Sequence, residues 1–124
     1  MQNKYKNILV TGGCGFIGSN FIKYLFNLTH FESKIINVDK LTYAGNLENL
    51  IEISNKYYGS RYFFEKYDIC NKEDMNRIFI KYKPDCIIHF AAESHVDRSI
   101  DGPAEFINTN ILGTFNLLEM ARIY

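Results

Sequence analysis

The stretch TGGCGFIG, residues 11–18, follows the apolar run Ile8-Leu9-Val10 and precedes a segment able to wind into a helix. Four of its eight residues are glycine: Gly12, Gly13, Gly15 and Gly18. Glycine loses more backbone freedom on folding than any other residue, so such a cluster needs a physical reason. Between a strand and a helix there is one: a tight turn, a backbone bare enough for a pyrophosphate to approach, and close helix-to-strand packing at the last glycine. The free N–H groups and positive dipole end of the helix then face the phosphates. The motif reads either as Gly12-x-x-Gly15-x-x-Gly18 or as Gly13-x-Gly15-x-x-Gly18.

Outward from this bend, apolar runs alternate with helical patterns, the signature of βαβ units. NILVT (7–11), KIINVD (34–39), RYFFEKYDI (61–69) and DCIIHFA (85–91) read as four strands. The first is almost continuously apolar, as a strand covered on both faces should be. Ile17, Phe21, Leu25 and Leu28 recur at helical spacing and predict one core-facing stripe; Met75, Ile78, Phe79 and Tyr82 predict another. Asn71 is placed to cap that second helix, with Glu73 and Asp74 in its first turn and Pro84 ending it. NLENLIEISNKY, from Asn46, carries a shorter and weaker helical pattern. A last helix starts near Pro103, with Ile107, Ile111, Leu118 and Ala121 on one face and Phe106, Phe115 and Leu117 on another. Apolar surface on two sides predicts that something beyond its own sheet covers it. The fold class expected is α/β: a Rossmann-like, doubly wound parallel sheet of about four strands in order 3-2-1-4, incomplete at this length, with helices on both faces.

Asp39 closes the second strand 21 residues after Gly18. That is near the spacing of about 20 at which a carboxylate reaches the adenosine ribose hydroxyls, and it would repel a 2′-phosphate, favouring NAD over NADP. Ligands collect where the strand order reverses, at the carboxyl ends of strands one and four. Strand four runs into HFAAESHVDRSI (89–100), where Ala91 and Ala92 leave room for a ribose or nicotinamide and Ser94, His95, Asp97 and Arg98 offer polar groups. Asp68 and Ile69, at the end of strand three, are placed to meet the adenine as a carboxylate beside an apolar wall.

The totals narrow the function classes. At 124 residues the chain is one domain at most. Lys plus Arg and Asp plus Glu both number 14, so no overall field favours nucleic acid or an anionic membrane. The aromatic residues fall on core faces and no basic stripe accompanies them, which argues against a base-stacking surface. Cys14, Cys70 and Cys86 are odd in number and form no Cys-x-x-Cys pair, so they read as reduced thiols with neither a disulfide framework nor a metal site. The N-terminus lacks the apolar core of a secretory signal and no apolar run could span a bilayer, so a cytoplasmic protein is expected.

TGGCGFIG, DKLTYAGN (39–46), HFAAESHVDRSI and FINTNILGTFNLLEMAR (106–122), all present and in order, resemble the dTDP-glucose 4,6-dehydratases of the extended short-chain dehydrogenase/reductase family. The resemblance runs from Asn7 to the last residues. DKLTYAGN and AAESHVDRSI are its most specific parts and differ from the corresponding segments of the UDP-galactose epimerases. It implies that Phe16 and Ile17 pack at the pyrophosphate, that Asp39, Lys40, Leu41 and Thr42 hold the adenosine ribose, and that Asp68 with Ile69 meets the adenine. Phe90, Ala91, Ala92, Glu93, Ser94 and Thr109 would complete the NAD site, Ser94 also touching the sugar nucleotide. The implied reaction oxidises the C4 hydroxyl of dTDP-glucose, eliminates water across C5 and C6, and returns the hydride to C6. A homodimer using the last helix is implied as well.

The catalytic Tyr-x-x-x-Lys helix, strand-five Thr and Asp–Glu pair of that family lie beyond Tyr124, so no residue here is expected to be catalytic and the chain is expected to be inactive alone. Tyr62 and Lys66 match the Tyr-x-x-x-Lys spacing. Four residues bring side chains together over about 6 Å on a helix but separate them by about 13 Å on a strand, where this pair falls. His89 reads as a hydrogen-bonded core histidine, His30 as a loop residue, and His95 as a crevice residue with no nucleophile to activate. Two other readings stay open: a non-catalytic nucleotide-binding module, and a dehydratase of a different nucleotide sugar.

Overall fold

The structure, a computed structural model, describes residues 4–42, 45–92 and 102–124. Four parallel strands, β1 (Asn7–Thr11), β2 (Lys34–Val38), β3 (Tyr62–Glu65) and β4 (Cys86–His89), form one sheet in the order β3-β2-β1-β4. Between them run α1 (Phe16–Asn27), a 3₁₀ turn (Leu47–Leu50) leading into α2 (Ile51–Tyr57), and α3 (Lys72–Tyr82). After β4 come α4 (Pro103–Ile107), a π-helical turn (Asn108–Gly113) and α5 (Thr114–Ile123).

Side chains alternate across a strand, so the sheet separates two cores. On one face Ile8, Val10 and Ile35 pack with Ile22, Leu25 and Phe26 of α1 and with Leu50. On the other, Leu9, Ile36 and Val38 pack with Met75, Ile78 and Phe79 of α3 and with Leu117 and Met120 of α5. Complete burial of residues such as Ile22 and Ile36 contributes about 2 kcal/mol each.

Three strands are shorter than the segments read for them, β2 by one residue, since it ends at Val38 with Asp39 just past it. β3 is an edge strand that pairs with β2 as far as Val38 opposite Glu65, so the backbone is released before Asp68. β4 ends at His89 because β1 ends at Thr11 opposite it. The stripe on α1 is also rotated from the expected one. A Cβ on Gly18 would lie 2.3 Å from the Gly12 carbonyl oxygen, so this face of the helix must press against the glycine bend. That contact sets the phase: Gly18, Ser19, Ile22, Leu25 and Phe26 are buried, whereas Ile17 turns outward at 67% exposure. α3 is as the spacing predicts, with Asn71 Oδ1 accepting from the Asp74 N–H at 3.1 Å. The last helix is interrupted. The π turn resets its phase so that Leu117 and Met120 face the sheet while Ile107, Ile111, Phe115 and Leu118 remain exposed.

Candidate functional site

At the carboxyl ends of β1, β2 and β4 the sheet opens into a cleft of about 580 Å³, its solvent-filled mouth included. The strand order reverses here, and the crossovers leave on opposite faces, which is what opens the crevice. Of the expected residues, Gly12, Gly15, Asp39, Lys40, Thr42, Asp68, Ile69, Phe90, Ala91, Ala92 and Thr109 line it. Gly18 lies beneath, as a packing residue. Phe16 and Ile17 occupy the first turn of α1 with their side chains outward, Phe16 at 82% exposure, and neither they nor Leu41 line the cleft. Glu93 and Ser94, with His95, Asp97 and Arg98, lie outside the described residues.

Gly12 is the tightest point of the site. Its φ of +68° suits glycine, and an added Cβ would stand 2.6 Å from the Ala91 nitrogen. The loops after β1 and β4 therefore meet backbone to backbone. Gly15 precedes α1 without offering a side-chain oxygen, and no acidic residue occupies the first turn. The amides at the start of α1 thus keep the donor capacity that a helix N-terminus directs at an anion.

Asp39, 8% exposed, anchors this arrangement from β2. One carboxylate oxygen accepts from the Cys14 N–H at 2.9 Å and the other from the Leu41 N–H at 2.7 Å, tying the glycine bend to the end of β2. Each oxygen retains a lone pair for a ligand hydroxyl. Leu41 turns left-handed at φ 60°, and Asn46 and Asn49 both donate to the Cys14 carbonyl, folding the β2–α2 connection back over the bend. Burial, with the Asp39 charge nearby, pushes the Cys14 thiol up to about 12, against a weaker hydrogen bond from Asn37.

At the other end of the cleft Lys40 spans Asp68 at 3.2 Å and Glu105 of α4 at 3.4 Å. Burial works against its charge, but the two carboxylates outweigh it and hold the ammonium above its ordinary range. Burial likewise opposes the Asp68 charge, yet the Cys70 N–H and Lys40 outweigh it and keep that carboxyl below its ordinary value. Val38, Gly45 and Tyr67 also line the cleft and were not reached by the spacing arguments. Tyr67 had a signal, since it adjoins the Asp68–Ile69 pair where the chain leaves β3. Gly45, whose Cβ would crowd Asp39 at 2.9 Å, had none beyond its place in DKLTYAGN.

Tyr62 is buried in β3 with its hydroxyl accepting from Asn37 at 3.0 Å, and burial raises it to about 12, while Lys66 lies just past the end of the strand and is exposed. His89 is hydrogen-bonded at both ring nitrogens, and all three cysteines are unpaired. Among the described residues no helix is long and apolar enough to cross a membrane.

A 3-2-1-4 parallel sheet with a glycine bend and a strand-end carboxylate at its reversal point defines a Rossmann-like fold of the dinucleotide-binding kind. The chain belongs to the family described as GDP-mannose 4,6 dehydratase, whose model matches residues 9–124. It is 55% identical to a dTDP-glucose 4,6-dehydratase of Neisseria meningitidis over 119 residues, 96% of this chain and 32% of that protein. Among solved structures it is similar to dTDP-glucose 4,6-dehydratase from Bacillus anthracis in complex with NAD (TM-score 0.80, 40% identity, 96% of this chain and 34% of that one). It is also similar to the UDP-glucose 4-epimerase of Thermotoga maritima (TM-score 0.78, 37% identity, covering 93% and 33%). The chain thus spans about a third of the length of these relatives.

Proposed function

We propose that the chain binds NAD in this cleft and forms the cofactor-holding part of a dTDP-glucose 4,6-dehydratase. The observation that carries the reading is the Gly12 bend, with no room for a Cβ, at the point of strand-order reversal beside the Asp39 carboxylate. The residues suit the cofactor. Gly12, Gly15 and the amides of Phe16 and Ile17 would take the diphosphate; Asp39, Lys40 and Thr42 the adenosine ribose, with Leu41 orienting the Asp39 carboxylate through its N–H; and Asp68 with Ile69 the adenine. Phe90, Ala91, Ala92, Glu93, Ser94 and Thr109 would complete the NAD site, Ser94 also reaching the sugar nucleotide. Bound NAD would supply the hydride acceptor for oxidation at sugar C4 and the donor for reduction at C6. The 124 residues contribute binding and orientation, and the acid, base and Tyr-x-x-x-Lys pair would come from outside them. The identity to the Neisseria enzyme supports dTDP-glucose as the substrate of the complete site.

Asp39 and Asp68 outnumber Lys40, itself committed to Asp68 and Glu105, so the ribose end repels a 2′-phosphate. Calorimetric titration should give at least about tenfold tighter binding of NAD than of NADP. Equal binding of the two would overturn the assignment. A cytoplasmic location and a homodimer through the exposed Ile107, Ile111, Phe115 and Leu118 belong to the same proposal. A second reading, a dehydratase of another nucleotide sugar, is favoured by the GDP-mannose description of the family model. Comparing turnover of dTDP-glucose and GDP-mannose by the enzyme that contains this sequence separates the two.

A further inference from the structure

Between β1, β4 and α5 one chain of hydrogen bonds can be assigned a direction throughout. The Thr114 hydroxyl lies 2.9 Å from the Asn110 carbonyl oxygen, which only accepts, so the hydroxyl donates there. Thr114 Oγ1 also lies 2.9 Å from His89 Nε2 and, its own proton committed, accepts from it. Nε2 therefore carries the proton of the neutral ring, and Nδ1 accepts from the Thr11 hydroxyl at 2.6 Å. Thr11 Oγ1 in turn accepts from the Ala91 N–H at 3.2 Å. The neutral ring agrees with burial, which lowers the His89 pKa.

The two ends of this chain reach residues of the cleft lining. Ala91 is the backbone that meets Gly12, and Asn110 sits in the π turn beside Thr109. π turns are rare and concentrate at functional sites. The far side of this one is fastened too: the Cys70 thiol donates to the Asn108 carbonyl at 3.1 Å, and Asn116 Nδ2 donates to the carbonyls of Ile69 and Cys70 at 3.0 Å. Thr11, His89 and Thr114 are not among the residues lining the cleft, so any influence on a ligand must pass through Ala91 and Thr109.

We propose that His89, held between Thr11 and Thr114, is a positioning residue that fixes the separation of the Gly12–Ala91 and Thr109 walls and so sets dinucleotide affinity. This rests on the NAD reading. Thr114→Val keeps the side-chain volume and removes the acceptor for Nε2–H. It should weaken NAD binding about tenfold, roughly the worth of one intramolecular hydrogen bond, and speed hydrogen exchange of the Ala91 amide about as much. Thr114→Ser should restore both. If Thr114→Val does not fold, His89→Asn cuts the chain at the same bond and carries the same expectation. A lowered Tm with unchanged NAD affinity and Ala91 exchange would overturn the positioning role. Failure of the unsubstituted protein to bind NAD would instead overturn the underlying reading.

Discussion

Gly12→Ala is the sharpest local perturbation of the site. The residue sits at φ +68°, where an L side chain costs about 1–2 kcal/mol. The new methyl would stand 2.6 Å from the Ala91 nitrogen and 2.8 Å from both the Ala91 Cα and the Phe90 carbonyl carbon. All three are backbone atoms, so no side chain can swing aside; the loop after β4 must move, at the roughly 1–3 kcal/mol typical of overpacking. Together these predict a loss of about 2–5 kcal/mol, a large fraction of the stability of a domain this size. Urea denaturation should show a lower midpoint with an unchanged slope, since the surface exposed on unfolding is the same. NAD affinity of the folded variant should fall by at least about tenfold, because the displaced loop forms the cleft wall. A variant within about 0.5 kcal/mol of the parent that still binds NAD normally would refute the close-approach argument.

Other outcomes follow from the same geometry. Asp39→Asn turns one acceptor oxygen into an NH₂ facing a backbone N–H; it should cost about 1–3 kcal/mol in urea denaturation and narrow the NAD-to-NADP preference. Burial holds the His89 pKa below its ordinary 6.5, so under that pH the unfolded chain binds a proton the folded chain resists, and stability should fall as pH drops below 6.5. The net lowering of Asp68 below 3.8 adds a second stage, complete above that value and lost as pH falls through the folded pKa; denaturation across the acid range should show both, with His89→Gln removing the first. Cys14, buried and raised to about 12, should resist iodoacetamide until the protein unfolds, as followed by mass spectrometry. The apolar face of Ile107, Ile111, Phe115 and Leu118 should make the isolated 124 residues self-associate, and a sharp monomer in light scattering with cooperative melting would contradict that.

The order of elements and the cleft were readable because the chain carries both periodicities cleanly. β1 and β2 are apolar on both faces, Asn71 announces α3, and the glycine bend falls between a strand and a helix. What escaped depended on contacts made only in three dimensions. Ile17 fitted the helical stripe, but the seat of Gly18 on Gly12 rotates α1 away from it. RYFFEKYDI looked like one strand, yet β2 supplies partners only as far as Glu65, freeing Tyr67 to join the cleft wall. The π turn left no periodic trace, since FINTNILG keeps an apolar rhythm through it. His89 was legible as a core histidine, while its link from Thr11 to Thr114 needed the helix placed against the sheet.

Amide-resolved NMR titration with NAD examines the dinucleotide cleft most directly. The account predicts saturable shifts grouped at Gly12, Gly15, Asp39, Ile69, Ala91 and Thr109, with the far ends of the strands unmoved. Shifts that avoid the Gly12–Asp39 corner, or no saturable response at all, would contradict it.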